Sequence, residues 1–291
     1  HPEAERRNVG AQALAAGSHL IPAAGAGTGT GRHPDPSARY RAGSAAADVV
    51  ALLKGLETGI MEHQGKHYCQ PPVEIRPAPF KSFRGRTYAA AVSPESARIM
   101  ARLGVGLLII PQKPWREVEK ELAEYNALYR EINGTDAPQP ISAGWTFVDE
   151  SAERAREMAV KYIGGYYRTV LDHYQFAGAH IKNQRGYDYY AKMNEKLAVY
   201  GDQKAIEFFA DLQVYGTPEQ VHEKIMAIHR QTNNCGYVGV FSYAGMPHEE
   251  AARNMRTFAT TVMPELKKFD AGAPVDRSQP LPDLRFAAAA E

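Results

Sequence analysis

Short apolar runs alternating with amphipathic helices constrain this chain more than any other feature. Gly106 to Ile110 reads GLLII, a run whose length and uniform apolarity fit a strand buried on both faces. PQKPW ends it. From Trp115 to Ile132, Val118, Leu122, Tyr125, Tyr129 and Ile132 recur at helical spacing with charges opposite, and Asn133-Gly134 closes the helix. Ile141 to Val148 is the next strand, and Ser151 caps a long helix that runs to about Tyr174. Thr217-Pro218-Glu219-Gln220 opens another helix, with Thr as N-cap, Pro at the first position and Gln where a capping box needs it. Tyr237 to Tyr243 is a further strand. Met246-Pro247-His248 opens a final helix with Met255, Phe258, Val262 and Leu266 along one side. Such alternation predicts a parallel sheet covered by helices. Ligands of such a sheet gather at the carboxyl ends of the strands, here Ser93, Gln112, Asp149 and Ser242.

One unit adds chemistry to the pattern. Thr87 to Val92 fits a short buried strand, and Ser93-Pro94-Glu95-Ser96 then starts a helix that puts Ala97, Met100 and Leu103 on one stripe and stops at Gly104. A strand, a tight turn and a helix start with two hydroxyls offer open N–H groups and a positive helix end, which suit a phosphate. Two readings of Ser93 stand side by side: a cap for its own helix, or a cap that also meets an anion.

The remaining segments set the boundaries. Residues 1–46 are rich in Ala, Gly, Arg, Pro and Ser and lack the large apolar side chains that offset chain entropy, so a low-complexity, disordered arm is expected. GAGTGTG, Gly25 to Gly31, is not preceded by a strand or followed by a helix, which excludes a dinucleotide loop. Val49, Leu52, Leu53 and Leu56 form a short helix ending at Gly59. EHQGKHY then reads as a turn, and PPVEIRPAPF as an extended connection bounded by prolines. His63 and His67 flank Gly65 without an acidic partner, and no metal site is expected. An aromatic-rich stretch of about 176–210 reads as an insertion, and 270–291 as a frayed tail. A net charge of +1 predicts no nucleic-acid binding. The two cysteines, Cys69 and Cys235, make no disulfide framework. The sequence has no run near the ~18 apolar residues of a membrane span. A cytoplasmic protein is therefore expected. The first residue is His1, not Met, which suggests that sequence upstream is missing.

VEIRPAPF, AAAVSPESARIMARLGVGLLIIPQKPW, VYGTPEQVHEKI, GVFSYAGMPHEEAARNM and VMPELKKF resemble, in this order, the C-terminal half of luciferase-like flavin-dependent monooxygenases. The resemblance runs from about Val49 to Phe269. It implies a TIM (β/α)8 barrel that binds reduced FMN and uses O2 to oxygenate a small organic substrate. It also implies a separate NAD(P)H-dependent flavin reductase as partner, and a homodimer. A branch of the family uses F420 for hydride transfer instead. The turn that holds the cofactor phosphate in the family corresponds here to Val92, Ser93 and Ser96.

The family pattern needs four strand–helix units before Tyr88, more than 86 residues hold. The expectation is an N-terminally incomplete barrel of about the last four units, occupying 47–269. A barrel left incomplete in this way would aggregate or self-associate through open strand edges and bind FMN weakly or not at all, and a truncated, non-catalytic remnant is one alternative. Gln112, Phe241 and Ser242 are substrate-pocket candidates by position. Lys113 follows Gln112 in the same turn, Trp145 is expected in the core, and His248 sits at a helix start. No catalytic residue is assigned, since the cofactor carries the oxygen step.

Overall fold

The computed structural model describes residues 42–65, 69–91, 93–174 and 201–272. Helix α1 (Ala42–Thr58) begins inside the stretch assigned to the arm, because Ala45, Ala46 and Ala47 favour helix without needing large side chains. Gly59, at φ +78°, turns the chain into an antiparallel hairpin, β1 (Ile60–Gln64) and β2 (Cys69–Glu74). The sequence reading made this segment a turn and a loose connection. Pro71 and Pro72 are tolerated because the register shifts between Met61 and His63, opposite them. Residues 66–68, His67 among them, lie outside the described residues.

The main sheet follows as β3 (Tyr88–Ala90), α2 (Pro94–Leu103), β4 (Gly106–Ile109), α3 (Trp115–Asn133) and β5 (Ile141–Val148). Next come α4 (Ala152–Met158), a π-helical turn (Ala159–Ile163) and α5 (Gly164–Tyr174). The predicted insertion lies partly outside the described residues. Its last part is helical, in a helix over 201–212 that runs just past the predicted bound and buries Ile206, Phe209 and Ala210. It leads into a strand the sequence reading missed, β6 (Val214–Gly216), three residues long and directly before the Thr217 capping box. Then come α6 (Pro218–Thr232), β7 (Gly236–Val240), α7 (His248–Thr257), a second π turn (Phe258–Val262) and α8 (Met263–Leu266). That π turn breaks the predicted stripe. Met255 is left exposed while Val262 is fully buried, because the wider turn rotates the helix face. Among the described residues no helix is long and apolar enough to cross a membrane.

All five strands of this sheet are parallel, and β5 is its centre, pairing with β4, β6 and β7. Successive residues of a parallel strand direct their backbone groups to opposite edges. On one edge, Leu108 and Ile109 of β4 pair with Ile141 and Ser142, and further along Asp149 N–H donates to Gly216 O of β6. On the other edge, Cys235 N–H donates to Pro140 O where β7 enters. β6 therefore takes over from β4 at the carboxyl end. Where backbone partners run out, side-chain amides replace them. Trp145 N–H donates to Gln213 Oε1 on the first edge. Asn254 of α7 accepts from Val148 N–H at 2.9 Å and donates to Thr146 O at 2.8 Å on the second.

In-register neighbours share a face, so the two faces can be assigned. Leu107, Ile109, Val148 and Val214 join Met100, Trp115, Val118, Tyr125, Val221 and Ile228 in the outer core under α2, α3 and α6. Gly144 is required there, since a Cβ would meet the Tyr237 hydroxyl at 2.7 Å. The inner face carries Trp145, Phe147, Tyr215 and Val240 in a second core with α4, α5, 201–212 and Tyr243.

Candidate functional site

Ser93 follows β3 in an extended conformation, φ −92° and ψ 148°, and caps α2. Its Oγ accepts from Ser96 N–H at 3.2 Å and donates to Ser96 Oγ at 3.0 Å. The capping reading of Ser93 therefore holds, and it orders two hydroxyls at the positive end of a ten-residue helix. Both serines are half-buried, and Glu95 is exposed. Pro94 occupies the first position, and the Ser96 hydroxyl, which accepts from Ser93 Oγ, keeps its own proton as a donor. The turn can therefore offer a hydroxyl proton and the helix-end field to an anion. Val92 lies outside the described residues.

Along the sheet, the end of β4 presents Gln112, half-buried, and Lys113, buried and ion-paired with Glu121 at 2.6 Å. The end of β5 is held by four charges. Asp149, 6% exposed, pairs with Arg154 and with Arg253 at 2.8 Å, and Glu250 pairs with the same arginines at 2.9 and 2.5 Å. Burial opposes ionisation of Asp149, but the Ser151 N–H, Arg154 and Arg253 outweigh it and hold the carboxyl below its ordinary value. Burial likewise opposes ionisation of Glu250, and Arg253 and Arg154 override it. Both acids stay ionised and fasten α4 to α7, which makes them anchors and not proton donors.

The last strand ends sooner than predicted, at Val240, so Phe241 and Ser242 follow it. Phe241 packs on Phe258 with ring centroids 5.0 Å apart, on the helix side of the sheet, and Ser242 is exposed. Ser93, Gln112, Asp149 and Ser242 thus all sit at carboxyl strand ends, while the Phe241 ring turns toward the helix layer. His248 is exposed at the start of α7. Sequence reasoning missed Gln213 and Asn254. Both are fully buried polar residues at the carboxyl end of β5, and nothing in their local spacing marks them. A cavity of about 510 Å³ between α1 and the far end of α2 is lined by Leu53, Glu57, Phe83, Arg84, Thr87 and Leu103. Thr87 precedes β3, so this cavity opens at the amino side of the sheet, away from Ser93. Among the described residues no three His, Cys, Asp or Glu side chains gather as a metal site would require.

A sequence profile described as luciferase-like monooxygenase matches residues 16–233, more than half of the chain. The chain belongs to the luciferase-like monooxygenase family. The matched span begins within the residues read as an arm and includes Ser93 and Gln112. Phe241 and Ser242 lie beyond it. The oxygenase component of flavin-dependent trigonelline monooxygenase from Acinetobacter baylyi is 24% identical over 147 residues, 50% of this chain and 39% of that protein. Among solved structures, the oxygenating constituent of 3,6-diketocamphane monooxygenase from Pseudomonas putida, in complex with FMN, matches with a TM-score of 0.53. Its identity is 15%, over 81% of this chain and 70% of that one. The monooxygenase RslO1 from Streptomyces bottropensis matches with a TM-score of 0.52 and 21% identity, over 77% of this chain and 61% of that one. These likenesses show the fold, an α/β parallel sheet similar to luciferase-like TIM barrels. The chain spans 39% of the trigonelline relative and 61% of RslO1.

Proposed function

We propose that this luciferase-like chain binds reduced FMN and uses O2 to oxygenate a small organic substrate. The observation that carries the reading is the Ser93–Ser96 hydroxyl pair at the N-terminus of α2, directly after β3. That turn would hold the cofactor phosphate, with Val92 completing it. Bound reduced FMN would supply the electrons that activate oxygen, and the chain's own residues bind and orient. Gln112 at the end of β4 and Ser242 after β7 stand on either side of the sheet's carboxyl end as substrate contacts. A separate NAD(P)H-dependent reductase would deliver the reduced flavin, in keeping with a curated relative named an oxygenase component. The fold we propose for the whole is the (β/α)8 barrel of the family, acting as a homodimer.

The test is anaerobic mixing of the 291-residue chain with FMNH2 or with reduced F420, then admission of oxygen beside a protein-free control. The account expects the chain to bind FMNH2 and to slow its oxidation relative to free flavin. Binding of reduced F420 with no effect on FMNH2 would move the assignment to hydride transfer, and no effect on either would overturn it.

A further inference from the structure

The inner face of β5 carries a stepped set of aromatic rings at its carboxyl end. Phe209 stacks on Tyr167 with centroids 4.2 Å apart and planes within 8°, and both are buried. Above them Trp145 meets Phe209 edge-on at 5.4 Å and Tyr166 at 4.4 Å with a 33° tilt. Trp145 and Tyr166 are only half-buried, although Trp145 lies inside a central strand. Sequence position alone put Trp145 in the core.

The indole is also held in place by its backbone. Trp145 N–H donates to Gln213 Oε1, and the Gln213 amide donates to Pro111 O after β4 and to Phe209 O in 201–212. One fully buried glutamine thus fixes the strand, the turn that carries Gln112 and the helix that backs the rings. The Trp145 partner across the sheet is Val240, on the same face, and Leu108 and Ala143 share that face. These side chains are uncharged. The ions of this end of β5 sit one step further along, beyond the strand.

We infer that Trp145, backed by Phe209 and flanked by Tyr166, forms the wall of the substrate subsite and selects planar, unsaturated rings over saturated rings of equal size. The inference rests on the reading that flavin and substrate meet at the carboxyl ends of these strands. Its physical ground is the ring quadrupole, which rewards stacking or edge contact with another π-system beyond simple burial. A pocket lined only by aliphatic groups would favour the more apolar, saturated ring instead.

The test is equilibrium dialysis of the full chain against 2-naphthol and decahydro-2-naphthol, two neutral bicyclic alcohols that differ in planarity. The wild type is expected to bind 2-naphthol about tenfold more tightly, the scale of ring stacking on an aromatic side chain. Trp145→Leu should abolish the preference and Trp145→Phe should keep it. Equal affinities in the wild type, or a preference that survives Trp145→Leu, would overturn the inference. FMN binding, followed in parallel by flavin fluorescence, separates the two claims. FMN binding without ring preference sinks the subsite alone. A Trp145-dependent preference without FMN binding supports the subsite and sinks the flavin reading.

Discussion

Asn254 offers the sharpest test of how β5 is held. This side chain stands where a neighbouring strand would, accepting from Val148 N–H and donating to Thr146 O, and it is fully buried. Replacing it by Ala removes these two bonds, and a long third one to Phe241 O at 3.5 Å, with unequal consequences for the first two. Thr146 O still accepts from the Tyr243 hydroxyl at 3.1 Å, so its loss is that of one ordinary bond, about 1 kcal/mol. Val148 N–H has no replacement among the described residues and becomes a buried unpaired donor, costing about 1–3 kcal/mol. The sum is roughly 2–4 kcal/mol, a large part of the ~5–15 kcal/mol that holds a typical domain. Asn254→Asp is the discriminating variant. Its carboxylate can accept from Val148 N–H but opposes Thr146 O, and only the protonated acid can donate. Burial raises the folded pKa of such a group, so the penalty is absent below the unfolded value near ~3.9 and grows as pH rises through the folded value. Urea unfolding at several pH values measures both variants. An Ala variant within about 0.5 kcal/mol of wild type, or an Asp variant without pH dependence, would refute the strand-replacement account.

Other expectations follow from buried charge. Burial pulls the Lys224 ammonium from 10.5 down to about 7, with Asp211 opposing, while its Nζ donates to Asp211 O at 2.8 Å. The unfolded chain therefore holds a proton that the folded one lacks between about pH 7 and 10.5, and stability rises with pH across that window. Lys224→Met should flatten a rise on the order of 3–5 kcal/mol, seen as a melting temperature that no longer climbs from pH 7 to 10. For Asp149 the sign reverses, because its folded value is depressed. Its contribution is present above the unfolded value and lost as pH falls through the folded one. Asp149→Asn should cost about 2 kcal/mol at neutral pH and lose part of the acid-side drop in stability, read from chemical denaturation between pH 5 and 3. Unchanged curves would contradict the four-charge anchor.

The parallel sheet was legible wherever local signals were strong. Ile141–Val148 matched its observed strand, and α3, α6 and the Ser93 cap began where capping residues and prolines placed them. β6 escaped because three residues cannot show a period, and the hairpin because Pro71 and Pro72 look hostile to a strand until a bulge admits them. The π turns at Ala159–Ile163 and Phe258–Val262 were invisible to a reading that assumes a constant helical period. At the site, positions at strand ends could be read from the alternation itself. Gln213 and Asn254 could not, since their meaning lies in backbone groups 68 and 106 residues away. Nor could the orientation of Phe241, which depends on strand register and on the Phe258 ring.

The central claim is that the turn after β3 receives a flavin phosphate, and a fluorescence titration of the full chain with FMN and with riboflavin tests it most directly. Riboflavin carries the same ring system without the phosphate. The account predicts saturable FMN binding, weaker riboflavin binding, and an FMN affinity that falls about tenfold or more in a Ser93→Ala, Ser96→Ala variant while riboflavin affinity barely changes, as loss of charge-assisted bonds to an anion requires. Equal binding of the two flavins by the wild type, or a double variant that binds FMN as the wild type does, would contradict it.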